Sequence, residues 1–191
     1  MKIVDHWIDT AVREETVNHG GMLLDHRWIR LHDTMGFVGP SLAHLQDPDT
    51  QASYHVIIGR DGKLYQMVPF NLIAWDSGIG EETFQGLKYP NNHGIGISFE
   101  NLGDITISDE GWFIAEKAWF GATVISMENV DWKARGAWHS YTKEQLVVGA
   151  ALIRMLVMEY GVKELWRHAD INPKKDDVNP AFPLESMRSI L

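Results

Sequence analysis

The amino-acid sequence predicts a single α/β domain in which a β-sheet is flanked by helices. Three observations support this fold class: an apolar run that ends at His32, two β-rich runs around an Asp-Gly turn, and one long apolar helix towards the C-terminal end. Apolar runs of strand length, together with a helix that is apolar on most sides, indicate a sheet with helices packed on it.

The strands are predicted from three segments. Residues 25–34 (DHRWIRLHDT) contain the apolar run, which we interpret as a buried strand whose last residue, His32, points into a site. Residues 53–68 (SYHVIIGRDGKLYQMV) contain the two β-rich runs, and Asp61-Gly62 is a strong hairpin signal. Residues 94–101 (GIGISFEN) alternate as a strand does when one of its faces lines a cleft.

The clearest helix is predicted over residues 142–160. Thr142 can cap its N-terminus, and Gln145, three residues later, is the partner that a capping box requires. Gly161 follows the helix, at a position where a left-handed C-terminal cap favours glycine. We expect this helix to pack against the sheet.

The segment 104–141 has no clean period. We interpret it as an insertion within the domain, with a short helix from about Asp109. Its tryptophans are expected to be core or loop anchors rather than platforms for sugar stacking; they are Trp112, Trp119, Trp132 and Trp138. Residues 169–183 contain three prolines and are predicted to form a loop.

Length and composition exclude several classes of protein. The 191 residues suit one domain over 1–191, and the absence of cysteine excludes disulfides and thiolate metal sites. The formal net charge of -9 argues against a nucleic-acid-binding module and against tight binding to anionic membranes. We therefore expect no nucleic-acid partner, no membrane insertion and a monomeric protein.

The sequence also carries an expectation about location. No stretch approaches the roughly 20 apolar residues of a membrane span. Charges interrupt the first residues too early for the apolar core of a signal peptide. We expect a protein that is cytoplasmic as synthesised, and that would reach a substrate outside the membrane only if something else carried or released it.

Two of the nine histidines stand out by their context. His32 ends the predicted strand, and His168 opens a polar loop that contains Asp177. Imidazole and carboxylate are good zinc ligands, and two histidines with one carboxylate leave a fourth tetrahedral position open, as in catalytic sites. Histidines and aspartates scattered over a chain are more often ordinary core or surface residues, so spacing alone is weak evidence.

A wider set of motifs occurs along residues 28–183. The motifs are residues 31–34 (LHDT), 53–66 (SYHVIIGRDGKLYQ), 68–69 (VP), 74–75 (AW), 94–97 (GIGI), 100–101 (EN), 141–142 (YT) with Gln145, 168–173 (HADINP), and Lys175, Asp177, Pro180, Ala181 and Phe182. In this order they resemble the type 2 N-acetylmuramoyl-L-alanine amidase family. That family includes cytoplasmic anhydro-muropeptide amidases, short phage lysins and animal peptidoglycan recognition proteins.

The resemblance implies a metal centre and a sheet order. His32, His168 and Asp177 would be the zinc ligands, Lys175 would lie beside the metal, and Tyr54 would lie near it. Zinc can lower the pKa of bound water to about 7. The tetrahedral oxyanion of amide hydrolysis needs a fixed donor, which Lys175 and Tyr54 can supply. The predicted fold is then a central mixed sheet of about five or six strands flanked by helices.

The central strand departs from the family pattern. Many members carry a glutamate as general base where this chain has Ser98, and Glu100 lies two residues further on the same strand face. Short phage lysins and recognition proteins also lack that glutamate. The proton could pass to the network of the zinc-bound hydroxide, to the free oxygen of Asp177 or to Glu100, and the sequence does not choose among these groups.

Two loops depart as well. The family often has Trp-His-Ala-Gly where this chain has residues 75–78 (WDSG), and the replaced histidine usually lies beside the substrate. Asp76 adds negative charge there and could raise nearby pKa values. The usual Asp-Pro-Gly-Pro becomes residues 177–180 (DVNP), which keeps the ligand type. We predict substrate contacts by Trp75, Asp76, Ser98 and Asn101.

Other histidines are less suitable as ligands than His32 and His168, and His139 competes with these two most closely. His139 is the main alternative, because it lies just before the Thr142 cap in an element that usually precedes the last helix of the family. His55 should face away from the site if Tyr54 faces in, since neighbouring residues of a strand alternate. His44 and His93 are expected in loops near a possible cleft.

The sequence therefore predicts zinc-dependent hydrolysis of the amide bond between N-acetylmuramic acid and L-alanine in peptidoglycan or muropeptides. A phage lysin and a cytoplasmic recycling amidase both fit, and the combination of Tyr54 with Ser98 slightly favours the lysin branch. The alternative is a peptidoglycan-binding protein without hydrolysis. The replacements at Ser98 and Asp76 keep that alternative open, whereas the presence of all three candidate ligands favours the enzyme.

Overall fold

The structure is a computed structural model that describes residues 1–118, 121–133 and 136–191. Its strands are β1 (Ile3–Val4), β2 (Trp7–Ile8), β3 (Val12–Arg13), β4 (His19–Met22), β5 (Trp28–Asp33), β6 (Val56–Ile58), β7 (Leu64–Gln66), β8 (Leu72–Ala74), β9 (Thr83–Phe84), β10 (Leu87–Lys88), β11 (Gly94–Phe99), β12 (Asp104–Ile107), β13 (Phe113–Ala115), β14 (Thr123–Ile125), β15 (Val130–Lys133), β16 (Gly136–His139) and β17 (Glu164–Arg167). Its α-helices are α1 (Val38–Gln46), α2 (Lys143–Tyr160), α3 (His168–Ile171) and α4 (Leu184–Arg188).

A six-stranded mixed sheet lies at the centre, in the order β17-β5-β11-β6-β7-β3. The first four of these strands are parallel, and β6 and β7 form the antiparallel hairpin that the Asp-Gly turn predicted. The α/β class and the mixed sheet of about five or six strands are thus confirmed. The strands predicted within 25–34 and 94–101 are β5 and β11, the second and third strands of this order.

The two faces of the central sheet have different roles. Ile29 and Leu31 of β5 belong to the main hydrophobic core, which includes residues of α2. Because side chains alternate along a strand, Arg30 and His32 point to the opposite face. All six residues of β5 are buried, so this strand places a cation and an imidazole inside the protein.

Helix α2 begins and ends where its capping residues predict. The Thr142 hydroxyl accepts from the Gln145 N–H, and the Gln145 side chain accepts from the Thr142 N–H, each at 3.1 Å. Gly161 ends the helix with φ of 68°. At Gly149 the helix comes so close to the sheet that a β-carbon would lie 2.9 Å from the Phe99 ring.

The segment that interrupts the pattern forms a second sheet. Five antiparallel strands lie in the order β14-β13-β12-β16-β15. The helix predicted from about Asp109 is wrong, because the chain turns between β12 and β13, where Gly111 has φ of 84° and its N–H donates to the Ser108 carbonyl. A left-handed residue at that point closes a hairpin and is incompatible with a continuing helix.

The tryptophans of this segment differ in their exposure. Trp112 and Trp132 are 59% and 58% exposed, so they are not core residues, whereas Trp138 is half-buried on β16. Trp119 lies outside the described residues. Among residues 1–118, 121–133 and 136–191, the protein has no helix whose length and apolar character would suit a membrane crossing.

Candidate active site

Three side chains from separate elements converge on the face of the sheet opposite α2. They are His32 from β5, His168 from the start of α3, and Asp177 from the loop that follows α3. Each is buried and offers one ligand atom, and these atoms all lie within 4.8 Å of one another. The structure therefore brings together the three residues that the sequence analysis assigned to a metal. The region 169–183, predicted to be a loop, starts within the short helix α3 (His168–Ile171).

Asp177 lies between the two imidazoles. Its oxygens are 3.0 and 3.1 Å from Nδ1 of His168, and Oδ2 is 3.4 Å from Nδ1 of His32. Nε2 of His168 lies 2.9 Å from the carbonyl oxygen of Ser77, which can only accept, so Nε2 carries the proton of the neutral ring. The unprotonated Nδ1 then faces a carboxylate, an arrangement that is favourable only with a cation or a second proton between them.

His32 is a buried imidazole whose polar atoms are not satisfied. Within the described residues, neither of its ring nitrogens has a hydrogen-bond partner, although the ring is completely buried. Nδ1 faces Asp177 at 3.4 Å and Nε2 faces Asp76 at 3.5 Å, both longer than good hydrogen bonds. Buried polar atoms are rarely left without a partner, so a metal ion on Nδ1 fits this geometry.

The charges of this cluster shift its pKa values in opposite directions. Burial alone would raise the pKa of Asp177, but His168 and His32 hold it well below its usual range. Burial alone would lower the pKa of His32, but the carboxylates of Asp177 and Asp76 outweigh it and raise that pKa. A divalent cation that binds these groups would compete with protons for them.

The loop that carries Asp177 is tied to the end of β5. The Asp33 N–H donates to Asp177 Oδ2 at 3.3 Å, and the Asn179 N–H donates to the Asp33 carboxylate at 3.0 Å. Tyr141 also donates to Asp33. Burial raises the pKa of the Asp33 carboxyl to about 7, and the hydrogen bond from Tyr141 only partly opposes this rise. These contacts hold Asp177 in place relative to His32.

Tyr54 and Lys175 lie near the cluster. The Tyr54 ring centre is 4.9 Å from that of His32. Lys175 is exposed, but its side chain reaches Gly78 beside His168. A β-carbon built on Gly78 would lie 3.8 Å from Cε of Lys175 and 3.9 Å from Nε2 of His168. Burial and the charges of Asp177 and Asp76 raise the pKa of Tyr54 above its usual value, so its hydroxyl stays a donor.

The residues predicted to contact substrate occupy different environments. Trp75 is 36% exposed. It lines a cavity of about 300 Å³ together with Ile79, Tyr89 and Asn91. Asn91 accepts from the Ser77 N–H at 2.9 Å, which connects this cavity to the loop beside His168.

Ser98, Asp76 and Asn101 are buried. Ser98 pairs in register with His32, and no hydrogen-bond partner of its hydroxyl is found among the described residues. The Asp76 side chain has no exposed surface and lies between Arg30 and His32, so a direct substrate contact, as predicted, does not fit its position. Asn101 accepts from Gly103 and Asn179 and donates to the His139 carbonyl, so it also anchors loops.

Glu100 has both carboxylate oxygens in use. Oε1 accepts from the Val38 N–H at 3.1 Å, and Oε2 accepts from the Arg60 N–H at 2.8 Å. These bonds hold the first residue of α1 and the turn of the hairpin. The structure thus gives Glu100 an anchoring role, and its predicted role in proton transfer stays a prediction.

The other histidines lie outside the ligand group. His139 accepts from the Leu102 N–H through Nδ1 and stands on β16. His93 lies in a short 3₁₀ helix and pairs with Asp25, and His44 lies in α1, so neither occupies the predicted loop.

One important residue was missed by the sequence analysis. Arg30 donates to Asp76 at 2.7 Å, with both side chains fully buried. An arginine inside an apolar strand, two residues before a candidate ligand, was the signal that could have revealed it.

Comparison with known proteins shows the family of this chain. The family model described as N-acetylmuramoyl-L-alanine amidase matches residues 23–180. The chain belongs to this amidase family. The 1,6-anhydro-N-acetylmuramyl-L-alanine amidase AmpD of Escherichia coli (strain K12) is 28% identical over 153 residues, which cover 78% of this chain and 61% of that protein. The chain spans about three fifths of the length of the curated relatives it matches.

Solved structures of related amidases share the fold. A selenomethionine derivative of AmpD is similar with a TM-score of 0.67 and 21% identity, over 100% of this chain and 99% of that one. The amidase AmiD from E. coli, in complex with the substrate anhydro-N-acetylmuramic acid-L-Ala-D-gamma-Glu-L-Lys, has a TM-score of 0.62 and 22% identity, over 96% of this chain and 60% of that one.

Proposed function

We propose that this protein hydrolyses the amide bond between N-acetylmuramic acid and L-alanine, with a zinc ion held by His32, His168 and Asp177. The observation that carries the proposal is the convergence of these three buried side chains within 4.8 Å. Membership of the amidase family supports the reaction class. The donor set of two imidazoles and one carboxylate supports zinc with an open coordination position.

The names of the relatives bear on the substrate. The curated relatives are named for a 1,6-anhydro-N-acetylmuramyl substrate, and AmiD is described with an anhydro-muropeptide. We therefore rank anhydro-muropeptides first and intact peptidoglycan second, which favours the recycling setting over the lysin branch. The net charge of -9 supports action without a nucleic-acid partner. We also propose that the protein is a monomer.

The chemistry divides between the ion and the chain. When bound, zinc would supply a water acidic enough to attack near neutral pH and a Lewis acid for the scissile carbonyl. The Lys175 ammonium and the Tyr54 hydroxyl would donate to the oxygen that becomes negative in the tetrahedral intermediate. Trp75, with its exposed ring beside the cavity, would contact the sugar or peptide.

The group that accepts the proton lies among three candidates. An oxygen of Asp177, Glu100 or the network of the attacking water could take it, since Ser98 is too weak a base at neutral pH. The buried Ser98, in place of the family's glutamate, is also the observation that favours the second candidate function. That function is recognition of muropeptides without hydrolysis.

One digestion separates the two functions. The protein with stoichiometric zinc, the metal-free protein and Asp177→Ala would each be incubated with an anhydro-muropeptide and with peptidoglycan, and the products read by mass spectrometry. Free stem peptides that begin with L-alanine, released only by the zinc form, are expected. Binding of muropeptide with no released peptide would contradict the amidase and support the recognition protein.

A further inference from the structure

Arg30 and Asp76 form a buried ion pair that the proposed reaction does not use. Arg30 and His32 are two residues apart on β5, so both project from the same face of the sheet. The neighbouring strand β11 presents Gly96 opposite Arg30. A β-carbon on Gly96 would lie 1.7 Å from Oδ2 of Asp76, so the missing side chain provides the space that this carboxylate fills.

The guanidinium of Arg30 is held by three acceptors. Nε donates to Asp76 Oδ1 at 2.7 Å, and the two terminal nitrogens donate to the carbonyls of Pro90 and Gly94 at 2.9 and 3.0 Å. Such a planar fork, fully buried and bonded on three sides, leaves Asp76 little freedom to move. A buried ion pair often adds little to the stability of a fold. The neighbours of Arg30 and Asp76 on the sheet indicate a functional role instead.

The second oxygen of Asp76, Oδ2, faces His32. Among the described residues, Oδ2 has no hydrogen-bond partner, and it lies 3.5 Å from Nε2 of His32. Nδ1, on the other side of that ring, faces Asp177. Histidines that bind a metal through one nitrogen generally donate the other N–H to a carboxylate or a carbonyl, which sets the tautomer and the orientation of the ring.

The next residue serves the second histidine in the same way. The Ser77 carbonyl accepts from Nε2 of His168 at 2.9 Å, while Nδ1 of His168 faces Asp177. Residues 76 and 77 thus lie against the outer nitrogens of both imidazoles.

We propose that Arg30 and Asp76 form a positioning pair that orients His32 for metal binding. Arg30 holds Asp76, and Asp76, now 3.5 Å from Nε2 of His32, accepts from that N–H when Nδ1 binds the metal. This proposal rests on the proposed zinc site. It assigns to Asp76 a role that differs from substrate contact.

The first test measures zinc affinity by competition with a chromophoric chelator, in the wild type and in Asp76→Asn. The asparagine can still accept from Arg30, but it turns an NH₂ group towards Nε2 of His32. We expect zinc to bind about 10- to 100-fold more weakly, the usual loss when a group behind a ligand is removed. The matched control is Glu164→Gln, which alters another arginine–carboxylate pair, the one with Arg27 at 3.0 Å.

The second test separates positioning from folding. The double variant Arg30→Met/Asp76→Leu removes both buried charges together, because removing only one would leave the other unpaired. Circular dichroism of the metal-free protein checks its fold. The visible spectrum of the Co²⁺-loaded protein reports the ligand geometry. We expect altered cobalt bands in Asp76→Asn and in the double variant, and unchanged bands in Glu164→Gln.

The outcomes are distinct. Wild-type zinc affinity and cobalt bands in a folded Asp76→Asn would overturn the positioning pair and leave the zinc site standing. A wild type that binds no zinc would overturn both proposals. A wild type that binds zinc, and loses it on substitution of Asp76, but releases no peptide would support the positioning pair and contradict the amidase.

Discussion

Nε2 of His168 and the carbonyl oxygen of Ser77 lie 2.9 Å apart. This hydrogen bond sets the tautomer of His168 and turns the unprotonated Nδ1 towards Asp177. Because Asp177 is itself held by the N–H of Asp33, the ligand atoms are arranged before any ion is added. Such a preset site should bind zinc tightly and depend strongly on each ligand.

Asp177→Ala removes the ligand between the two histidines. Replacing a group behind a ligand costs about 10- to 100-fold in metal affinity, so loss of the ligand itself should cost more. Chelator competition and metal analysis of the purified protein would measure it. Asp176→Ala is the control, because Asp176 is exposed beside it. Equal zinc binding by the two variants would contradict the ligand assignment.

Lys175→Met should slow the reaction without releasing the metal. A donor to the developing oxyanion typically contributes about 100- to 1,000-fold to turnover. We expect a loss of that size in kcat, with zinc affinity within a few-fold of wild type, measured by peptide release under saturating substrate. Lys174→Met, at the exposed neighbouring position, should keep normal turnover. A Lys175→Met enzyme with unchanged kcat would exclude this role.

Glu100→Gln tests whether Glu100 is an anchor or a base. The substituted amide has only one oxygen, so it can accept from the N–H of either Val38 or Arg60. It turns an NH₂ group towards the N–H that is left without an acceptor. We expect the free energy of unfolding to fall by about 1–3 kcal/mol, measured in urea, with kcat changed only a few-fold. Glu15→Gln, which is exposed, is the control. A loss of about 100- to 10,000-fold in kcat would instead identify a general base.

His55 should make the protein less stable in mild acid. Its Nδ1 accepts from the Gly96 N–H, and burial lowers its pKa to about 4. Since the unfolded chain binds a proton near pH 6.5, this contribution to stability is complete above that pH and is lost as pH falls. The slope is about 1.4 kcal/mol per pH unit down to about pH 4.

Urea unfolding between pH 7.5 and 4.5 would measure that slope. His55→Asn keeps an acceptor for Gly96 and cannot titrate, so its slope should be smaller by about 1.4 kcal/mol per pH unit. Phe70→Leu removes the ring that stacks on His55 and should lower stability at every pH while keeping the slope. Equal slopes in wild type and His55→Asn would refute the prediction.

The sequence by itself determined the features whose signals are local. Thr142, Gln145 and Gly161 defined helix α2 to the residue, and Asp61-Gly62 placed the hairpin, because caps and turns depend on residues a few positions apart. The order of the motifs also singled out His32, His168 and Asp177, which the structure brings together.

The tertiary structure decided what depends on residues that are distant in the chain. Asp76 is a buried partner of Arg30, 46 positions away, and Glu100 holds backbone N–H groups 62 and 40 positions away. The segment that begins at residue 104 forms a sheet whose strands pair across long stretches of chain: Ile105 pairs with Ala137, 32 positions away, and Asp104 with Trp138, 34 positions away. The sequence alone does not show whether a carboxylate will contact solvent, substrate or a buried cation, because its surroundings depend on which elements pack around it.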